Sequence, residues 1–190
     1  DQESRSGATL LAVHRCFWAG LGDRSPDLGG ADSTRYYAEN ERRLFTAHLD
    51  PLAGLTILKA DLWDEAKNTR ILAWAAAEGA RPYGVDISKP TVIQARAAFH
   101  GAALRCAVSD VRDLPFRDAC FDAIYSMGTI EHFDETERAV EEMTLVPQPG
   151  ARPSAAGPHR RHPVLRPLHP PPTPAPPPPP TRHNHSPPPP

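Results

Sequence analysis

The sequence predicts an α/β fold: a mostly parallel sheet between two layers of helices, a three-layer sandwich, followed by a tail of another kind. Three observations carry this. Short apolar runs alternate with helical patterns between residues 55 and 145, the rhythm of a parallel sheet with crossover helices. Acids stand at or just past the ends of three of those runs, where open parallel sheets bind ligands. Of 24 prolines in 190 residues, 19 fall between Pro147 and Pro190, leaving 5 before them. No helix interior or central strand absorbs that density, because each proline removes a backbone donor and fixes φ.

Residues 1–33 are polar and contain glycine, with one apolar island from Leu10 to Leu21. They read as a flexible lead-in with room for one helix. From Ser33 the spacing of Tyr36, Tyr37, Leu44, Phe45 and Leu49 is helical, and Pro51 and Gly54 end that segment. Leu55 to Lys59 reads as a first strand. Asn68 is placed to cap a helix running to Glu78, which Gly79 stops. Tyr83 to Ile87 reads as a second strand. Ser88 caps the next helix, with Pro90 in its first turn and Gly101 as its stop. Leu104 to Val108 is a third strand and Phe121 to Met127 a fourth. Asp134 and Glu137 form a capping box for a last helix through Leu145.

Charge divides where proline does. Residues 1–146 hold 16 basic and 23 acidic residues, a net of −7, which argues against a nucleic-acid partner. The tail holds five arginines and no acid. Its composition cannot offset its ordering entropy, so residues 151–190 are expected to be disordered, with polyproline II character. Cys16, Cys106 and Cys120 fit neither a zinc pattern nor a disulfide framework, the usage of a reducing, cytoplasmic compartment. No run approaches a membrane span and no leader opens the chain. The first residue is Asp1 rather than methionine, as in a chain incomplete or processed at its start.

Asp61 follows the first strand, Asp86 ends the second and Asp110 follows the third. An acid at the end of the second strand is placed to accept from ribose hydroxyls, and one after the third from an adenine amino group. The ordered set points to an adenosine-containing ligand.

Residues 55–150 resemble the Rossmann-like class I S-adenosylmethionine-dependent methyltransferases that act on small molecules. The matching stretches are GVDIS (84–88), SDVRDLPFRDACFDAIYSMGTIEHF (109–133) and ERAVEEM (137–143), ending toward Pro149 and Gly150. The resemblance implies S-adenosyl-L-methionine as cofactor and a small-molecule methyl acceptor, with a partial domain over 34–150. It places Asp86 and Ile87 at the ribose, Asp110 and Val111 at the adenine, and Ser126, Met127 and Gly128 beside the methionine end. The family's glycine-rich first loop is replaced by LKADLWDEAKNT (58–69), so Asp61, Leu62 and Trp63 would have to cradle the cofactor. Glu131 and His132 follow the fourth strand, and His132 is the best-placed candidate base, since a histidine titrates near neutrality. Gly128 stands where an E-x-x-E-H metal motif would begin, so no metal is expected.

A second departure follows VPQPGARP (146–153), where proline displaces the family's remaining strands. The fold is expected to stop after its fourth strand, leaving an open sheet edge. The tail's Pro, Arg, Ala, Gly and His are what a GC-rich gene gives when read out of frame. The alternatives to methyl transfer are therefore a truncated or frameshifted product without activity, and an interaction protein whose proline runs dock SH3 or WW grooves.

Overall fold

Thr56–Lys59 forms β1, and its two faces bury different side chains: Ile57 and Leu58 are both fully buried, in separate apolar clusters. This computed structural model describes residues 2–99, 104–145 and 154–156. β1 pairs in parallel with β2 (Arg81–Asp86) on one side and β4 (Ala123–Met127) on the other. β3 (Arg105–Val108) lies outside β2. The order is β3-β2-β1-β4-β5, with every neighbouring pair parallel. The chain winds outward from β1 to β3 and then returns to the opposite side of β1. That reversal opens a crevice between β1 and β4 at their carboxyl ends, the switch point of a doubly wound sheet.

β5 (Ser154–Ala156) corrects the expectation that no fifth strand follows the fourth. Three residues pair with Tyr125, Ser126 and Met127. Small residues in so short a run carry no apolar period, so pattern reading does not find it. The rest of the proline-rich segment, the PPPPP and PPPP runs included, lies outside the described residues, as does Gly101.

α2 (Asp32–Leu49), α3 (Trp63–Lys67), α4 (Ile71–Ala77) and α5 (Lys89–Ala98) cover one face of the sheet. Their Phe45, Leu62, Leu72 and Val92 side of the core meets Ile57 and Tyr125. α6 (Thr136–Leu145) covers the other face, where Ala139 and Met143 pack with Leu58, Val85, Phe121 and Ile124. The three layers expected from the sequence are present.

The single helix expected from Asn68 to Glu78 is instead two. α3 ends at Lys67 and α4 begins at Ile71, with Arg70 in the left-handed region at φ 53°. Asn68 does not cap α4. Its amide donates to Asp64 Oδ1 at 2.9 Å and accepts from Thr34 Oγ1 at 2.6 Å, which ties the break to α2. Ser88 does cap α5 as expected, its Oγ accepting from Thr91 N at 3.3 Å. α6 starts at Thr136, two residues after the expected Asp134.

The lead-in is largely a helix, α1 (Gln2–Arg24). Its Gly22 sits directly on the start of α5. A Cβ there would stand 2.9 Å from Thr91 Oγ1 and 3.2 Å from Ser88 Oγ, so glycine permits the approach. The Gly22 carbonyl also accepts from Gln94 Nε2 at 3.3 Å. Among the described residues no helix is long and apolar enough to cross a membrane.

Candidate functional site

The carboxyl ends of all four longer strands open into one cavity of about 810 Å³. Small-molecule sites run from about 300 to 1,000 Å³, so there is room for a nucleoside and a second small molecule. Four carboxylates reach its wall: Asp61 and Asp64 after β1, Asp86 at the end of β2, and Asp110 after β3.

Three of the four carry a built-in side-chain cation. Lys59 belongs to β1 and is wholly buried, and its Nζ lies 3.0 Å from Asp61 Oδ1 and 3.5 Å from Asp64 Oδ2. Burial alone would discharge this ammonium, but the surrounding Asp61, Asp64, Glu65 and Glu41 hold its pKa well above the usual lysine value. Asp61 spends its other oxygen on Met127 N at 3.2 Å, so one side chain bridges β1 and β4 across the crevice. Burial still pushes the Asp61 carboxyl upward, against the pull of Lys59.

Asp110 is held by Arg112: Nε to Oδ1 at 2.9 Å, Nη2 to Oδ2 at 2.6 Å, and the Arg112 backbone N to Oδ1 at 2.9 Å. Burial works against the Asp110 carboxylate, yet these bonds outweigh it and hold the carboxyl below its ordinary range. Arg112 also reaches Glu135 at 2.6 Å and lies 4.9 Å from the Phe133 ring.

Asp86 differs. Its partners are two backbone N–H groups, Leu62 N at 2.9 Å and Ser88 N at 2.8 Å. Burial pushes its carboxyl up to about 6, against the pull of those two donors. It is the wall acid whose charge no adjacent cation answers.

The sequence-nominated residues divide. Asp61, Trp63, Asp86, Ile87, Asp110, Val111, Met127, Gly128 and His132 all line the cavity. Leu62 does not. Its side chain is fully buried and packs over β2, where a Cβ on Gly84 would stand 2.3 Å from it. Only its backbone N–H serves the site, through Asp86. Ser126 is buried within β4 and is not on the wall, because alternate strand residues face away. Glu131 is exposed and off the wall, while its neighbour His132 stands on the rim.

Sequence reading misses His14 and Trp18 of α1, Tyr37 of α2 and Phe133, which also line the wall. Trp18 meets His132 edge to face, with centroids 4.8 Å apart. An aromatic at a distant end of the chain gives no local signal. In the sequence Lys59 is simply the end of an apolar run. A lysine in a buried strand, with acids two, five and six residues on, is the available clue. Among the described residues no cluster of three or more His, Cys, Asp or Glu is arranged to hold a metal.

The donor set suits S-adenosylmethionine, the expected cofactor of such a site. It includes a carboxylate at the end of β2 that could accept from ribose hydroxyls, and further carboxylates that could answer a cationic sulfonium or ammonium. Apolar Ile87 and Val111 are on the same wall. Gly128, at φ 75°, carries no side chain into that space.

Residues 66–152 match a family described as "Methyltransferase domain". The chain is 28% identical over 144 residues to "O-methyltransferase resE" of Aspergillus sclerotiorum, covering 74% of this chain and 51% of that protein. It is 42% identical over 72 residues to "Probable tRNA methyltransferase 9B" of Mus musculus, covering 36% of this chain and 15% of that one. The chain therefore spans about half, or less, of these curated relatives. A solved S-adenosylmethionine dependent methyltransferase from Mesorhizobium loti shares the fold, with a TM-score of 0.52 and 22% identity over 60% of this chain and 52% of that one.

Proposed function

We propose that this chain, which carries the class I S-adenosylmethionine-dependent methyltransferase fold, binds that cofactor at the carboxyl edge of its sheet and serves methyl transfer to a small-molecule acceptor. When bound, the cofactor supplies a methyl group on a cationic sulfur. The observation that carries the reading is Asp86. Of the four wall acids it alone is left with backbone partners only, at the strand end where ribose hydroxyls would donate. Asp110 and Val111 would flank the base. Asp61 would fix the span between β1 and β4 on which the methionine end rests, beside Met127 and Gly128.

His132, on the rim, would take the proton released by the acceptor's nucleophile. Glu131, outside the cavity, has no part in this reading. The match to a tRNA methyltransferase raises a nucleic-acid acceptor, which the charges disfavour. Among the described residues Arg112, on the wall, is committed to Asp110 and Glu135, and Lys59 is buried beneath two carboxylates. The three cysteines are free, consistent with a reducing, cytoplasmic setting.

Calorimetric titration with S-adenosylmethionine tests the reading. The full chain should bind, and Asp86→Ala should weaken binding by roughly 1.5–3 kcal/mol, about 10- to 150-fold. The bound ribose favours the carboxylate, so affinity should fall as pH drops below about 6, where the Asp86 carboxyl takes up its proton. A chain with native circular dichroism that does not bind would overturn the proposal.

A further inference from the structure

Two of the four wall acids, Asp61 and Asp64, lie in the loop where the methyltransferase family carries its glycines. Trp63 stands between them and also lines the cavity. A segment that glycines would leave bare therefore carries two carboxylates and an indole, a ring whose face attracts cations. Both carboxylates share one cation, Lys59 Nζ, at 3.0 Å and 3.5 Å. Asp61 also accepts from Met127 N at 3.2 Å, which places it at the crevice between β1 and β4.

The charge of the whole wall runs the same way. Asp61, Asp64, Asp86 and Asp110 face two cations, Lys59 behind the first pair and Arg112 on the last, and two negative charges are left over. Glu41 and Glu65, which also act on Lys59, are acids and do not lessen that surplus. Farther out, Arg15 of α1 acts on Asp110 and Glu135 on Arg112, one charge of each sign. Charges that line a cleft act through less water than charges on an open surface, so a surplus there selects ligands by sign.

We propose that Asp61 and Asp64 make this cavity select nucleosides with a cationic 5′ side chain over neutral ones, so that it holds S-adenosylmethionine more tightly than the demethylated product. The inference rests on the cofactor reading above and names what separates ligand from product at the same site. Methyl transfer changes the sign that the carboxylates meet. The methyl carbon leaves without the S–C electron pair, which stays on sulfur, so a sulfonium becomes a neutral thioether. The acceptor's nucleophile supplies the pair for the new bond and releases its proton to water. Asp61 and Asp64 then attract the product less than the reactant, and the spent nucleoside leaves more readily.

Calorimetric titration of the full chain at about pH 8 tests this. An imidazole is ordinarily neutral at that pH, and two histidines stand on the wall. Asp86, whose carboxyl burial pushes up to about 6, is ionised there. S-adenosylmethionine, and sinefungin with an amine in place of the methylated sulfur, should each bind about tenfold or more tightly than S-adenosylhomocysteine. Asp64→Asn and Asp61→Asn each remove one wall charge and should lower that ratio about threefold or more, while Asp64→Glu should keep it. A merely structural defect would weaken all three ligands alike and leave the ratio unmoved, so the ratio is read on variants with native circular dichroism. The ratio of the unsubstituted chain needs no variant and decides if neither Asn variant folds. S-adenosylhomocysteine binding as tightly as S-adenosylmethionine, or a ratio unmoved in a folded Asn variant, overturns the inference and leaves the cofactor reading standing. Failure of all three ligands to bind removes both.

Discussion

The two ion networks beside the cavity solve one problem in opposite ways. Lys59 answers Asp61 and Asp64 from inside the sheet, with no exposure of its own side chain. Arg112 answers Asp110 from a turn at the rim, its side chain 11% exposed and its second partner Glu135 53% exposed. In the first the cation is sealed from water. In the second the cation and its outer partner Glu135 both meet it. The shorter pairs at the rim therefore need not be the weightier ones, and burial sets which network the fold depends on.

The largest expected effect comes from Lys59. Lys59→Ala leaves Asp61, Asp64 and Glu65 crowded without their cation, and breaking a buried pair by removing one partner costs about 3–5 kcal/mol. Chemical denaturation should show a loss of that size, or an unfolded chain. Lys59→Met together with Asp64→Asn should recover part of it. A loss below about 1 kcal/mol for Lys59→Ala would mean that the cluster is wetter than its geometry and that the contrast with Arg112 is false.

This pair of networks also marks where sequence reading reaches and where it stops. The four longer strands, the cap at Ser88 and the acids at strand ends come from local rules: period, capping chemistry and the carboxyl-edge rule. Asp86 and Asp110 can be found because a position along a parallel sheet is itself a position in space. What those acids meet cannot. Arg112 stands two residues after Asp110 and gives no signal, since no periodicity distinguishes a clamp from a solvated side chain. The roles of Trp18 and Tyr37 depend on how α1 and α2 fold over the sheet edge, which only tertiary packing decides. Leu62 escapes for a related reason. Its neighbours Asp61 and Trp63 face the cavity, but the side chain between them turns inward against Gly84.

A smaller effect comes from Glu65, in the same buried network. Burial, opposed by Lys59 and the Leu72 N–H, pushes its carboxyl up to about 7 from an ordinary 4.5. A carboxyl whose pKa is raised by folding contributes stability that is complete below about pH 4.5 and is lost as pH rises through about 7. The shift corresponds to about 3 kcal/mol at most. Glu65→Gln keeps an acceptor for Leu72 N, which lies 3.1 Å from Glu65 Oε1, and has no proton to lose. Its stability should therefore fall less between pH 4.5 and 8 than the parent chain's, and at pH 8 it should melt higher. Parallel pH profiles would show that Glu65 keeps its charge, and would extend the ionised cluster around Lys59 by one member.

The rim network should yield least. Arg112→Ala strips two side-chain bonds from Asp110, leaves the one from the backbone N–H and admits water, so a cost of about 1–2 kcal/mol is expected. Part of that is lost packing on Phe133 rather than lost charge. Glu135→Ala removes the exposed partner and should cost no more than about 0.5 kcal/mol. The two variants together separate the rim's halves: if Glu135→Ala costs as much as Arg112→Ala, the Asp110 bonds contribute nothing beyond an exposed pair. Raising the salt concentration gives an independent reading. The Glu135 contribution should fade with screening, while the Arg112–Asp110 clamp, held by directed bonds at 11% exposure on both sides, should persist.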